Sequence, residues 1–329
     1  MPSTDVTILR EFLAHPGELV TGTRLARQLG ISRVAVFFHL KRLIEEGFEI
    51  RSEPRRGYRL IACPAALHEA LIRTHLGRTR VPHLVCLDTV DSTNSEAERR
   101  LAADEPVPLV ILARAQTRGR GRRGRPWHSA HSGNLYATFV FRPQLEPARL
   151  QDFTLWLGVS VCELVENFCK LSPGLKWPND LFLSGRKAGG MLTEARIDAD
   201  QVRDLVFGLG LNVNGRVSDL PSDLRRIATS LADETGAPLD LNKFAAALIG
   251  RVLHAYAQFL DGSYRARFAE LWHRYDTLRG KPVSVIQGTR TVRGTAIGID
   301  DEGSLIVRTD AGATERFRAG EVTLGKEVA

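Results

Sequence analysis

The stretch QTRGRGRRGRPW, from Gln116 to Trp127, is the most unusual part of the chain. From Arg118 to Arg125, five of the eight residues are arginine and the other three are glycine. Glycine lets backbone amides approach a ligand closely, and arginine offers a rigid fork of donors that matches phosphate. The composition predicts a loop that folds over a polyanion, although a disordered basic patch that binds nucleic acid would have the same composition.

Two apolar segments frame this arginine loop (residues 116–127). Leu109–Ala113 leads into the loop, and the alternating segment Asn134–Phe141 follows it. Both segments have the composition of β-strands. Because binding residues commonly lie on loops fixed to a rigid sheet, the framing favours an ordered ligand-binding loop over a disordered tail.

Residues 1–63 predict three short helices followed by a basic hairpin. The second helix ends at Gly30, and Ser32 is suited to cap the third helix, which places Val36, Leu40 and Leu43 on one buried face. This order is typical of a winged helix-turn-helix that binds DNA. The predicted DNA-binding residues lie on the third helix and on the wing: Arg33, His39, Lys41, Arg42, Arg55 and Arg56.

Two consecutive aromatic residues, Phe37 and Phe38, interrupt the pattern of this third helix. Successive helical residues point about 100° apart, so both rings cannot face the core, and we expect one to be exposed or to pack on the wing. Aromatic side chains contact few groups on base edges apart from thymine methyls. A protein-interaction module of the same fold is therefore the alternative to DNA binding.

The composition limits the class of protein. The four cysteines are scattered without a C-x-x-C pair, which argues against a disulfide framework or a zinc site. The N-terminus lacks the pattern of a signal peptide, and no apolar run approaches the roughly 20 residues that span a bilayer, so we expect a cytoplasmic protein. The net charge of +7 favours anionic partners.

Four motifs in the chain occur in an order that resembles biotin–protein ligases. They are Asp91-Ser-Thr-Asn94, Gly119–Arg125 followed by Trp127, Lys176-Trp-Pro-Asn-Asp180, and Gly185-Arg-Lys-Ala-Gly-Gly-Met191. The N-terminal pattern is similar to that of the bifunctional members, which are also biotin operon repressors. The resemblance covers nearly the whole chain, and the set of motifs is more specific than any single glycine-rich loop.

The fold class that follows is α+β, with three domains. Residues 1–63 form the winged helix-turn-helix, residues 64–278 form the central mixed-sheet α/β domain that the resemblance implies to be the ligase, and residues 279–329 form a small β-barrel. Short strands at close spacing indicate this barrel, and the resemblance implies that it is SH3-like.

The resemblance also implies roles for individual residues. Lys187 would lie between the carboxylate of biotin and the α-phosphate of ATP, where it offsets their repulsion, and Asp180 would orient Mg²⁺ directly or through water. The implied catalytic residues are Lys187, Arg120, Asp180 and Lys176. The implied biotin-binding residues are Ser92, Thr93, Asn94, Gln116, Arg120, Gly121, Arg122 and Lys187. The predicted adenylate-binding residues are Arg123, Trp127, Gly208, Gly210 and Asn212, with the two glycines as the floor of the pocket.

The implied reaction has two steps. Biotin and Mg-ATP give biotinyl-5′-AMP and pyrophosphate, and a lysine of the biotin carboxyl carrier protein of acetyl-CoA carboxylase then takes the biotin. Residues 215–227 predict a flexible loop that orders over the adenylate. Without a carrier, the loaded protein is expected to form a homodimer and bind a palindromic operator.

Three other interpretations fit parts of the sequence. One is a ligand-sensing transcription factor whose ligase-like domain only binds, but the set of Arg120, Lys176, Asp180 and Lys187 argues against sensing alone. A second is a ligase whose N-terminal domain does not bind DNA. The third, a lipoate ligase, would lack the arginine loop and normally the winged helix.

Overall fold

The computed structural model of the protein describes residues 3–77, 83–130 and 133–324. The chain divides into two compact units, one of Met1–Val81 with Asp240–Ala247 and the other of Pro82–Leu239 with Leu248–Ala329. The first unit is longer than the predicted first domain because it also includes a fourth helix. The boundaries at residues 63 and 278 stay predictions.

The first unit confirms the winged helix-turn-helix. Ser3, Thr21 and Ser32 each accept a hydrogen bond from the backbone amide three residues later, and these bonds fix where the first three helices begin. Gly30 ends the second helix with a φ of 67°. The elements are α1 (Thr4–Ala14), α2 (Gly22–Leu29), α3 (Arg33–Glu45), β1 (Glu49–Glu53), β2 (Gly57–Ala62) and α4 (Glu69–Leu76).

The core of this unit forms between the helices and the first residues after α3. Apolar residues of α1, α2 and α3 are fully buried together, and Phe48 closes the cluster just before the hairpin. The strands β1 and β2 pair in antiparallel fashion as the wing. The buried residues of the three helices include Ile8, Leu9, Phe12, Leu25, Val36, Leu40 and Leu43.

The second unit is built on a seven-stranded mixed sheet with the order β3-β4-β5-β9-β8-β7-β6. Only β3 and β4 pair in parallel; the other neighbours are antiparallel. The strands are β3 (His83–Val90), β4 (Leu109–Gln116), β5 (Leu135–Phe141), β6 (Pro173–Lys176), β7 (Asp180–Leu183), β8 (Arg186–Asp198) and β9 (Gln201–Leu211).

Helices cover this sheet and bury its apolar side chains. Phe153 meets Phe207 of β9 with ring centroids 6.2 Å apart and Phe259 at 5.2 Å, which joins two long helices to the sheet. Helical periodicity in residues 150–171 predicts a buried stripe that includes Phe168, but Phe168 lies near the end of its helix and is exposed, so this part of the prediction is wrong. The helices are α5 (Thr93–Ala102), α6 (Leu150–Cys169), α7 (Leu231–Thr235), α8 (Leu241–Asp261) and α9 (Arg265–Tyr275).

The C-terminal region forms a five-stranded antiparallel sheet with the order β13-β12-β11-β10-β14. Its two outer strands do not pair among the described residues, so the closed barrel that we predicted is not found there. The sequence prediction also missed the last strand, in which only Val322 is fully buried. The strands are β10 (Pro282–Gln287), β11 (Arg290–Ile299), β12 (Leu305–Thr309), β13 (Thr314–Phe317) and β14 (Glu321–Leu324).

One hydrogen bond links this sheet to the larger one. The indole of Trp177, which is 1% exposed, donates to the carbonyl of Gly303 over 3.0 Å. Within the described ranges, no helix is long and apolar enough to cross a lipid bilayer.

Candidate active site

A cavity of about 360 Å³ opens in the second unit. Its walls come from the arginine loop, the start of α5, the β7–β8 hairpin, the glycine face of β9 and the beginning of β14. The structure therefore brings together residues that are far apart in the sequence. All the predicted ligand-binding and catalytic residues line it: Ser92, Thr93, Asn94, Gln116, Arg120, Gly121, Arg122, Arg123, Trp127, Lys176, Asp180, Lys187, Gly208, Gly210 and Asn212.

Lys187 and Asp180, which both line this cavity, form an ion pair. The Lys187 Nζ lies 2.8 Å from Asp180 Oδ1. Phe182 pairs with Lys187, and Asp180 lies two residues from Phe182 on the same strand, so the side chains of Asp180 and Lys187 lie on the same side of the hairpin. Asp180 pairs with Gly190 in the next strand, where a Cβ atom would lie only 3.4 Å from the Lys187 side chain. The lysine and the aspartate therefore lie side by side in the cavity wall, and their catalytic roles stay predictions.

The backbone of Lys187 is fixed on both sides. Its amide donates to the carbonyl of Ile227 over 2.7 Å, and its carbonyl accepts from the amide of Thr229 over 2.9 Å. These two bonds tie Lys187 to the end of residues 215–227, whose Leu220 and Leu224 also line the cavity. The segment predicted to order over an adenylate thus adjoins the lysine; its flexibility stays a prediction.

The arginine loop folds back on itself as a compact turn. The amide of Gly121 donates to the carbonyl of Arg125 over 2.7 Å, and that of Trp127 donates to the carbonyl of Gly119 over 2.9 Å. Any Cβ atom at Gly119 would come within 2.5 Å of the carbonyl oxygen of Trp127. Glycine is therefore required here for close packing.

Acidic side chains hold the arginines of this loop. Arg120 pairs with Glu98 over 3.0 Å and with Glu194. Arg125 donates to Glu321 of β14 over 2.6 Å, and this bond lowers the pKa of the Glu321 carboxyl. The C-terminal sheet therefore contributes directly to the position of the loop.

Two further cations in the cavity wall are partly buried. Arg122 donates to the Oδ1 of Asn179 over 3.1 Å, and burial lowers the pKa of its guanidinium. Burial also lowers the pKa of Lys176, although Asp180 opposes that effect. Removing cations from water without a full set of partners is unfavourable, so this wall favours an anionic ligand.

Polar residues before and within α5 line another part of the cavity. Thr93 donates to the Oε1 of Gln116 through its amide, over 2.8 Å, and through its hydroxyl, over 3.1 Å. Ser92 is buried, yet its side chain does not cap α5, although a capping role was the simplest structural expectation. Asn94 is bonded at both ends of its amide, since its Nδ2 donates to Glu194 over 2.7 Å and its Oδ1 accepts from Thr138 over 2.7 Å.

The two glycines of β9 accommodate side chains of the protein. A Cβ atom at Gly208 would lie 2.3 Å from the Oδ1 of Asn94, and one at Gly210 would lie 2.5 Å from the Nε1 of Trp127. The open floor that we predicted is thus covered at these points by Asn94 and Trp127. Asn212 is also engaged, because its Nδ2 donates to the carbonyl of Thr229 over 2.9 Å.

The predicted DNA-binding residues divide into two groups. His39 contacts Asp5 of α1 over 2.8 Å, and Arg42 pairs with the same carboxylate, so these two side chains brace α3 against α1. Five predicted residues are exposed, namely Arg33, Lys41, Arg55, Arg56 and also Arg42, which is exposed despite its ion pair. Phe37 and Phe38, of which we expected one to be exposed, are both exposed.

Comparisons with known proteins agree with this geometry. Residues 86–212 match the Biotin/lipoate A/B protein ligase family, residues 279–325 match the Biotin protein ligase C terminal domain, and residues 6–59 match an HTH domain. The chain is 33% identical to the bifunctional ligase/repressor BirA of Bacillus subtilis (strain 168), over 99% of this chain and 100% of that protein. This chain belongs to the biotin–protein ligase family.

Other members of the ligase family are also similar to this chain in sequence or in fold. The bifunctional ligase/repressor BirA of Escherichia coli (strain K12) is 30% identical, over 94% of each chain. The biotin protein ligase from Aquifex aeolicus in complex with biotin and ATP is 28% identical, with a TM-score of 0.62 over 74% of this chain and 99% of that chain.

The sequence motifs did not indicate three acidic residues of this ligase site. Glu98, Glu194 and Glu321 hold the arginine loop or the asparagine beside it. Glu98 lies on the helix that follows the Asp91-Ser-Thr-Asn94 motif, which is a weak signal. Glu194 and Glu321 are separated from their arginine partners by 74 and 196 residues, so no local spacing indicates them.

Proposed function

We propose that the protein forms biotinyl-5′-AMP from biotin and Mg-ATP and transfers the biotin to a lysine of the biotin carboxyl carrier protein of acetyl-CoA carboxylase. The observation that carries the proposal is the 2.8 Å pair of Lys187 and Asp180, in a cavity lined by the arginine loop. In this family member, that arrangement supplies a cation between two anionic reactants.

In the first step, a carboxylate oxygen of biotin attacks the α-phosphorus of ATP. The new P–O bond forms as the bond to pyrophosphate breaks, and negative charge increases on the phosphate oxygens. Lys187, held by its backbone on both sides, is preorganised to contact those oxygens. Arg120, Arg122 and Lys176 add positive charge along the same wall.

The Mg²⁺ would be held mainly by the nucleotide. The described residues contain no group of three or more His, Cys, Asp or Glu side chains that would form a cage for a metal ion. Mg²⁺ commonly binds phosphates, waters and only one or two carboxylates, and Asp180 suits that arrangement. Because its Oδ1 already contacts Lys187, contact through water is the simpler geometry.

The biotin ring would bind near Ser92, Thr93 and Gln116. Its ureido group carries a carbonyl and a pair of N–H groups, and such a ligand needs matching donors and acceptors in a confined pocket. The Ser92 hydroxyl, which does not cap α5, and the Thr93–Gln116 pair offer both donors and acceptors. Asn94 and Asn212 line the same cavity, and their amides bond to protein atoms, as the amide of Gln116 also does.

In the second step, the ε-amine of the carrier lysine attacks the carbonyl of the mixed anhydride. An amide bond forms, AMP leaves with the electrons of the broken C–O bond, and the amine loses its proton. The reaction needs no covalent intermediate with the protein. The arginine loop, ordered by its own backbone bonds and by Glu98, Glu194 and Glu321, would shield the anhydride from water until the carrier arrives.

We propose a second activity for the first unit, which is binding to operator DNA. Its winged helix-turn-helix and its exposed Arg33, Lys41, Arg55 and Arg56 support this, and similar proteins carry the name ligase/repressor. In the absence of carrier, the protein loaded with biotinyl-AMP would form a homodimer that matches a palindromic operator.

Mass spectrometry of the reaction products tests the proposed ligase activity. One tube holds the protein with biotin and Mg-ATP, and a second also holds a biotin-accepting carrier domain. We expect biotinyl-AMP in the first tube and a biotinylated carrier lysine in the second. If folded protein binds biotin but forms neither product, the protein is a biotin sensor and not a ligase.

A further inference from the structure

The outward face of α3 is apolar over most of its length. Val34, Phe37, Phe38 and Ile44 are 65%, 51%, 62% and 49% exposed. The two phenylalanine rings meet edge to face with centroids 5.8 Å apart. Positions 34, 37, 38 and 41 share one side of a helix, and this side is opposite the buried residues of α3.

The polar groups expected to contact bases are mostly engaged elsewhere. The carboxylate of Asp5 contacts both His39 and Arg42. Lys41 lies on the apolar face and has Glu45 at 3.8 Å. Hydrogen bonding to base edges usually requires free forked donors or amides in the first turns of a recognition helix. Here only Arg33 offers such a group at the start of α3.

The charges around this face favour a polyanionic partner. Arg33 and Arg55 are exposed and form no ion pair among the described residues, while Glu11, Glu53 and Asp5 are each paired with arginine of the same unit. An apolar stripe on α3, with one exposed arginine at the start of that helix and another at the turn of the wing, matches the major groove, in which phosphates flank the base edges. A stable protein interface would need roughly 20–30 residues on each side, far more than this stripe provides.

We infer that the first unit recognises thymine methyl groups in the major groove through Val34, Phe37 and Phe38, with Arg33 and Arg55 on the flanking phosphates. This inference rests on the proposed DNA binding and specifies its sequence preference. The thymine methyl is the one apolar group on the major-groove edge of the ordinary bases. A surface of this kind gains affinity by removing that methyl and the rings from water.

The test begins with a duplex pool that has a random centre. The full chain, with biotin and Mg-ATP, is used to select the bound sequences, and each thymine of the selected duplex is then replaced by uracil. Uracil keeps the base pairing and loses only the methyl group. We expect at least one replacement in each half-site to weaken binding by about 10-fold, within the range for one altered base pair.

Variants assign this effect to α3. Because Phe37 and Phe38 are exposed, the double variant Phe37→Ala, Phe38→Ala should fold normally, and it should bind the thymine and uracil duplexes equally. Ile44→Ala, on the same face but nearer the end of α3, is the matched control and should retain the preference for thymine. Arg55→Ala should weaken binding to both duplexes alike.

The possible failures are distinguishable. If the wild-type protein binds a selected duplex but does not distinguish thymine from uracil, the inference is wrong and DNA binding stands. If the double variant still prefers thymine, other residues contact the methyls and the inference is again wrong. If no duplex binds, and the exposed face instead mediates association of the protein with itself or another protein, the DNA-binding proposal fails as well.

Discussion

The indole ring of Trp127 lies against Gly210, where a Cβ atom would come within 2.5 Å of the indole Nε1. That N–H is buried and has no hydrogen-bond partner among the described residues, so shape and not a polar contact positions the ring. The Lys187 Nζ lies 5.3 Å from the centroid of the same ring. A glycine in β9 therefore sets the position of the residue that borders the proposed catalytic lysine.

Gly210→Ala should displace this indole and slow adenylate formation. We expect kcat/KM for the formation of biotinyl-AMP to fall by about 10-fold or more, because small displacements of positioning groups have effects of this size. Overpacking should lower the free energy of unfolding by about 1–3 kcal/mol. Pyrophosphate release and thermal unfolding measure the two effects. Gly250→Ala is the control, since its Cβ would meet nothing within 4 Å. Normal activity in Gly210→Ala would show that the position of Trp127 does not matter.

Asn134→Ala should destabilise the end of β9. The Oδ1 of Asn134 accepts from the amides of Val213 and Gly215, each over 2.9 Å, and the side chain is 5% exposed. Its loss leaves buried donors unsatisfied, which should cost about 2 kcal/mol or more. Asn134→Asp keeps the acceptor oxygen and should cost less. Urea unfolding compares the variants, and equal loss in both would assign the effect to charge or packing.

Asp91 should make stability depend on pH in the acid range. Hydrogen bonds from Arg99 lower the pKa of Asp91 to about 2, from an ordinary value of 3.8. Because the folded-state pKa is depressed, the carboxylate stabilises the fold above about pH 3.8, and this stabilisation is lost as the pH falls toward 2. Asp91→Asn should therefore lower Tm near neutral pH. This difference in Tm should shrink as the pH falls from about 3.8 toward 2.

The control for this titration is Asp223→Asn, because Asp223 is exposed and forms no ion pair among the described residues. Its Tm should follow that of the wild-type protein at every pH at which the fold persists. A Tm difference for Asp91→Asn that stays constant on acidification would contradict the role of the carboxylate charge. The partner Arg99 is about half exposed, so solvent screens the pair and the expected difference is small.

Residues 215–227 should become protected when an adenylate forms. Arg216, Arg225 and Arg226 are exposed trypsin sites in this segment, and Leu220 and Leu224 line the cavity. Cleavage at these arginines should slow in the presence of biotin and Mg-ATP, while cleavage at Arg290, exposed at the start of β11, should not. Equal cleavage of the segment with and without ligands would argue against its closure.

Sequence patterns indicated what is local in this protein. Caps at Ser3, Thr21 and Ser32 determine the first three helices, and Ser32 was predicted from its position alone. The Lys187–Asp180 pair was also predictable, because a hairpin of known length brings residues seven positions apart to one side. The motifs then assigned the family, which the comparisons confirm.

Long-range contacts were not predictable in this way. Glu321 reaches Arg125 only because β14 adds to the edge of the C-terminal sheet, and nothing in a four-residue strand indicates that pairing. Helical spacing showed that Phe37 and Phe38 cannot share a buried face. It did not show that Asp5 would contact His39 and Arg42. It also did not show that both phenylalanine rings would be exposed on the outward side of α3.

Single-turnover formation of biotinyl-AMP by Lys187→Ala tests the central claim most directly. Without the ammonium group between the two anions, the rate should fall by roughly 100-fold or more, while far-UV circular dichroism and Tm stay close to those of the wild-type protein. Lys281→Ala removes an exposed lysine that does not line the cavity, and this variant should react normally. An unchanged rate in folded Lys187→Ala would contradict the account and remove Lys187 from the chemistry.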